Sequence, residues 1–113
     1  MTRGKLVLVP FPFDDLSATK VRPAVCLTEP LGAHRHVILA FISSQMPTDL
    51  LPSDLILDTG HADYARTGLR TSSVLRLHRV MTVATSLIQR ELGELSPAWQ
   101  AEVSARLRAL FAC

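Results

Sequence analysis

Apolar residues fall in short runs separated by turn residues along most of this chain, and only near the C-terminus does the spacing become helical. Leu6 to Val9 is the first strand-like run, with Gly4 before it and Pro10 closing it. Ala24 to Thr28 is the second, and Glu29-Pro30-Leu31-Gly32 makes the turn after it. His36 to Ile42 is a third, and its near-continuous apolar character predicts burial on both faces before it ends in Ser43-Ser44-Gln45. Pro47 to Ser53 is loop, and Leu55 to Leu57 is a short strand. Asp58 to Arg70 is loop with room for one helical turn. From Ser73 to Val83, apolar Val74, Leu75, Leu77, Val80, Met81 and Val83 intersperse with Arg76, His78 and Arg79, which predicts one long or bent strand. A brief strand-like run follows around Ile88 to Leu92.

The helix begins with Ser96 as N-cap and Pro97 at the first helical position. Trp99, Val103, Leu107 and Leu110 recur at helical steps with Phe111 alongside, while Gln100, Glu102, Ser104, Arg106 and Arg108 take the other face. The apolar stripe predicts packing on the sheet or against a second subunit. The expected architecture is mainly β, about six short strands curled into a small barrel or sheet, plus a C-terminal α-helix.

Composition adds limits. A chain of 113 residues with 48% hydrophobic and 19% charged residues predicts a single globular domain over 1–113. No apolar run approaches the ~18 residues that span a bilayer, and the first residues lack the pattern of a secretory signal, so a cytoplasmic location is expected. Cys26 lies in an apolar strand and Cys113 is the last residue, a pair that does not read as a disulfide framework.

Candidate chemistry concentrates between the first two strands. The connecting loop carries Phe11, Phe13, Asp14, Asp15 and Lys20, and Arg22-Pro23 stands where the second run begins. Arg22 cannot shed its charge by deprotonation, so beside a buried strand it must meet an anion or water. Pro23 restricts Arg22 to an extended conformation. Such a fixed cation suits a phosphate; the competing reading is an ion pair with Asp14 or Asp15 that orders the loop. Phe11 and Phe13 share one side of an extended chain, where they plug the core or stack on bases.

Net charge is only +2, yet Tyr64 to Arg90 holds Arg66, Arg70, Arg76, Arg79, Arg90 and His78 with no acidic residue. Ten of the twelve basic residues are arginine, the type suited to bidentate phosphate contacts. The segment is either an anion-facing surface or a face neutralised by acids elsewhere in the fold. His34 and His36 share one side of a strand but lack a third ligand, and His61 with Asp58 and Asp63 reads as a solvated turn. No metal site or cofactor is expected, and no glycine-rich phosphate loop occurs.

The runs Val7-Leu-Val-Pro-Phe-Pro-Phe-Asp-Asp-Leu-Ser17, Lys20-Val-Arg-Pro-Ala-Val-Cys-Leu-Thr28, Phe41-Ile-Ser-Ser-Gln45, Thr67-Gly-Leu69, Ser73-Val74 and Arg76-Leu-His-Arg79 together resemble the MazF/PemK-type toxins of toxin–antitoxin systems. The likeness extends from about Gly4 to Ser96. It implies an SH3-like barrel and a homodimer. It further implies a metal-independent, sequence-specific endoribonuclease that cuts single-stranded mRNA and is inhibited by a cognate antitoxin. Arg22 matches the family's catalytic arginine, and Ser43 stands where a threonine is usual. Phe13, Lys20, Ser44, Gln45, Arg76, His78 and Arg79 are the expected RNA contacts. Many relatives have Gln, an aliphatic residue and Arg where this chain has Arg79-Val80-Met81, so the RNA sequence preference does not carry over. Two alternatives remain. One is a DNA-gyrase poison, since CcdB-type toxins resemble this fold; they act through the extreme C-terminus with a Trp, whereas the single Trp here, Trp99, begins the helix. The other is a catalytically weak barrel that binds RNA or antitoxin.

Overall fold

A computed structural model describes residues 2–12 and 19–112. The alternating runs become six strands, β1 (Lys5–Pro12), β2 (Thr19–Cys26), β3 (His36–Ser43), β4 (Asp54–Leu57), β5 (Ser73–Ala84) and β6 (Arg90–Glu94), followed by the helix α1 (Pro97–Phe111). All neighbouring strands pair antiparallel in one sheet of order β4-β5-β3-β2-β1-β6. The sheet curls into a half-barrel, so the mainly β class with a terminal helix is as the pattern predicts.

Period-two alternation divides the core between the two faces of this sheet. Leu6, Val25, Ala40, Ile42, Leu75 and Leu77 point to the face covered by Leu95, Trp99 and Val103. Val7, Val9, Ala24, Cys26, Val37, Leu39 and Phe41 point to the other face, with Phe11, Met81 and Ile88 at its margin. Burial of β3 on both faces, predicted from its unbroken apolar run, follows from its place inside the sheet. In α1, Ser96 accepts the Trp99 amide at 3.2 Å and Pro97 takes the first turn. Trp99 and Val103 are buried, but Leu110 and Phe111 are exposed because the last turn extends beyond the core.

Two strand boundaries beside the cleft differ from the sequence pattern. β1 continues through Pro10 to Pro12, and β2 begins at Thr19, so Arg22 and Pro23 lie within a strand rather than at its mouth. The prolines are tolerated because each stands where its strand has a ladder on one side only. β6 pairs with β1 from Lys5 to Leu8 alone, and β3 pairs with β2 from Ala24 to Cys26 alone. β5 is the predicted bent strand. Ala40 faces Val80 but Phe41 faces Arg76, which leaves Leu77, His78 and Arg79 as a bulge between two registers.

The segment before β5 is fastened to β6 by two glycines. Tyr64–Thr67 forms the predicted helical turn, as a 3₁₀ turn. Thr67 is fully buried; its hydroxyl donates to the Tyr64 carbonyl at 2.7 Å and accepts the Leu69 amide at 3.1 Å. Gly68 has φ +73°, and a Cβ there would overlap the Leu92 carbonyl. A Cβ on Gly93 would likewise overlap the Arg66 carbonyl.

Candidate functional site

The β2–β3 ladder ends at Ala24 and Phe41, and beyond that level the two strands part. β3 continues to Ser43 on its pairing with β5, and β2 continues back to Thr19 on its pairing with β1. The resulting cleft of about 170 Å³ is lined by Phe11, Arg22, Phe41, Ile42, Ser43, Ser44, Gln45, Arg76 and Arg79. Residues far apart in sequence, singled out separately, therefore line one cleft: Arg22, the Ser43-Ser44-Gln45 turn, Arg76 and Arg79.

Each side chain is placed by its element. Arg22 is half-buried within β2. Phe11 stacks on Phe41 with ring centroids 4.1 Å apart, so this phenylalanine floors the cleft. Ser43 closes a local turn, its hydroxyl accepting the Gln45 amide at 3.1 Å and lying 3.3 Å from the Gln45 carbonyl. Ser44 and Gln45 are exposed on that turn. The β5 bulge brings Arg79 to the cleft, where it makes no ion pair with any described residue.

Arg76 is held from below. Its Nε donates to Asp54 Oδ1 at 3.1 Å, and the Asp54 side chain has no exposed surface. The other Asp54 oxygen accepts the Leu51 amide at 2.9 Å. Arg106 of α1 then donates to the carbonyls of Pro52 and Asp54 at 2.7 and 2.8 Å. Asp54 was missed in sequence because only the β4–β5 register, which places it opposite Arg76, reveals the pair.

Other expected contacts separate from the cleft. His78 does not line it; its Nδ1 lies 3.9 Å from Asp54 Oδ1, since the bulge turns it toward β4. Lys20 is exposed opposite Phe11 on the β1–β2 ribbon and also lies outside the lining. Phe13, Asp14 and Asp15 fall outside the described residues. The acid-free segment is partly neutralised from elsewhere, with Arg76 against Asp54 and Arg66 within 3.6 Å of Glu94.

His34 and His36 are exposed with ring centroids 5.9 Å apart, and among the described residues no third ligand joins them. His61 accepts the Asp63 amide and stacks on Trp99 at 4.5 Å. Hydrogen bonds from the Gly60 amide and then the Ser72 hydroxyl hold the Asp58 carboxyl below its usual range, as befits a turn-closing acceptor. Trp99 is buried under the sheet. No described helix is long and apolar enough to cross a membrane.

Residues 2–111 match the family model described as "PemK-like, MazF-like toxin of type II toxin-antitoxin system". A search of curated proteins by sequence finds no match. Among solved structures, the chain is similar to an endoribonuclease in complex with its cognate antitoxin from a mycobacterial species, with a TM-score of 0.68 and 17% identity over 96% of this chain and 92% of that one. It is similar to the Mycobacterium tuberculosis toxin MazF-mt6, with a TM-score of 0.65 and 20% identity over 93% of this chain and 95% of that one. A MazE–MazF structure from Deinococcus radiodurans gives a TM-score of 0.68 and 19% identity over 97% and 94% of the two chains.

Proposed function

The chain belongs to the PemK-like, MazF-like toxins of type II toxin–antitoxin systems, and from that premise we propose that it is an endoribonuclease whose active site is the cleft between β2 and β3. The carrying observation is that Arg22, Ser43, Arg76 and Arg79 line one cleft, with no acidic residue among the described residues of its wall. The substrate is single-stranded RNA. Its 2′-hydroxyl attacks the adjacent phosphorus; the 2′-O–P bond forms, the P–O5′ bond breaks, and a 2′,3′-cyclic phosphate and a free 5′-hydroxyl result. No metal is needed for this step, because the nucleophile belongs to the substrate.

The protein has to hold the phosphate in line and stabilise the added negative charge. Arg22 and Arg76 supply planar, charged donors from opposite walls. A guanidinium keeps its charge in proteins and makes a poor base, so the role of Arg22 is electrostatic. Ser43 adds a hydroxyl donor beside the same phosphate. Phe11 and Phe41 offer faces on which a neighbouring base stacks. Arg79, Ser44 and Gln45, exposed at the rim, are placed to read bases and give sequence preference.

A homodimer and an acidic antitoxin segment complete the proposal. Two copies would join their basic clefts into one groove, and an antitoxin occupying that groove would exclude RNA. The exposed apolar residues Val21, Ile56 and Val80 offer surface for such contacts. Incubation of the purified protein with a long RNA in EDTA, followed by mapping of the new ends, tests the activity. Discrete cuts leaving cyclic phosphates are expected. Intact RNA, or cutting only when a metal is restored, would overturn it.

A further inference from the structure

Arg22 is shared by two clefts. On its far side from Phe11 lies a second cleft of about 300 Å³, between β1–β2, the segment after Gly68 and β6. Arg22, Ile42 and Ser44 line both, so the two are continuous across them. Arg70 and Arg90 stand in the second cleft, both exposed and neither ion-paired with any described residue. Its floor is formed by half-buried Leu8, Leu69 and Leu92. Among the described residues no acidic side chain lines it.

This cleft is built rather than incidental. Gly68 and Gly93 let the Tyr64–Thr67 turn lie directly on β6, where a Cβ at either position would overlap a backbone carbonyl. Buried Thr67 fixes the Leu69 amide. The Thr67-Gly68-Leu69 run thus fixes one wall, and Arg70, which follows it, lines the same cleft as Arg90 and Arg22. Cations above an apolar floor suit one chemical class, a nucleotide whose phosphate meets guanidinium groups and whose base covers leucines.

We propose that the second cleft binds the nucleotide adjoining the scissile phosphate, with Arg70 and Arg90 gripping its phosphodiester. This rests on the ribonuclease reading, in which Arg22 marks the scissile position. Arg70 and Arg90 grip the strand and do not touch the reacting atoms.

The test separates binding from cutting. The probe is a random-sequence RNA of about ten nucleotides, 2′-O-methylated throughout so that it cannot be cut, titrated across a salt series. The double variant R70A/R90A should bind about tenfold more weakly at low salt, with a salt slope smaller by about one to two. Arg108→Ala, which removes an exposed arginine on α1, should leave affinity and slope unchanged. On cleavable RNA the double variant should raise KM with little change in kcat. Wild-type affinity and slope in R70A/R90A, or no binding of the probe by the wild type, overturns the second cleft. Binding that depends on Arg70 and Arg90 without any cleavage by the wild type upholds the cleft and removes the ribonuclease reading.

Discussion

Arg22 and Ser43 lie at one level of the β2–β3 register without being paired. The ladder ends at Ala24 opposite Phe41, and two residues further on the same register would set Arg22 opposite Ser43. There the strands have separated, and the gap between these two residues is the cleft. A guanidinium and a hydroxyl thus face a common space from two strands fixed by their outer neighbours, β1 and β5. Arg22→Ala should lower RNA cleavage by about a thousandfold or more, as expected when a preorganised cation is lost. Arg22→Lys should be nearly as poor, because an ammonium cannot reproduce the planar fork. Cleavage rates and melting curves measured together check this; near-normal cutting by a folded Arg22→Ala protein would place the active site elsewhere.

Ser43 has two tasks, closing its turn through the Gln45 amide and facing the cleft. Ser43→Ala should reduce the cleavage rate by about ten- to a thousandfold, the loss of one transition-state donor. Ser43→Thr should keep or raise the rate, since the added methyl restricts χ1 while the hydroxyl remains. The informative comparison is Ser44→Ala, because Ser44 is exposed one residue further along. If that change is the damaging one and Ser43→Ala is silent, the donor is Ser44.

How much of this was legible in the sequence depends on range. Local signals gave the strands in order, the bend in β5 and the Ser96-Pro97 helix start, because alternation, proline and capping act within a few residues. They misplaced the ends of β1 and β2. A proline reads as a strand end unless it is known that one flank carries no ladder, and that is a property of the whole sheet. Arg22, Ser43, Ser44, Gln45, Arg76 and Arg79 were singled out from residue type and motif, and they line one cleft. His78 went astray because a strand pattern does not show which way a bulge turns a side chain. Asp54 was invisible for the same reason: it and Arg76 are 22 positions apart, and only register joins them.

Cys26 is fully buried on the sheet face away from α1. Burial raises its thiol pKa from 9.0 to about 11, so the thiol stays neutral and unreactive at ordinary pH. The folded pKa lies above the unfolded one, so this group's contribution to stability is intact below about pH 9 and is lost as pH rises through about 11. In a Cys113→Ser background, a thiol reagent should modify Cys26 only as the protein unfolds, and urea midpoints should fall over that pH range. Rapid modification of the native protein at neutral pH would contradict the burial.

Asp54 is where stability and the cleft meet. Its buried carboxylate accepts Arg76 Nε with one oxygen and the Leu51 amide with the other, while Arg106 of α1 holds the adjoining backbone. Arg76 therefore reaches the cleft with its Nε already engaged, which fixes the direction of the remaining donors. Asp54→Asn keeps the size and one acceptor but removes the charge and turns an amide donor toward one of these two N–H groups. The expected cost is about 1–3 kcal/mol of stability, from a buried hydrogen-bonding group left without its match. If Asp54 also positions Arg76, the folded variant should lose about ten- to a hundredfold in kcat at saturating RNA, because misdirected donors act on the transition state. Arg106→Ala provides the contrast, since it removes the backbone ties of α1 but leaves the carboxylate on Arg76. It should cost stability with a much smaller change in kcat. Urea unfolding and single-turnover cleavage of both variants decide the matter: an Asp54→Asn protein that is less stable but cuts at the wild-type rate would reduce Asp54 to a structural residue.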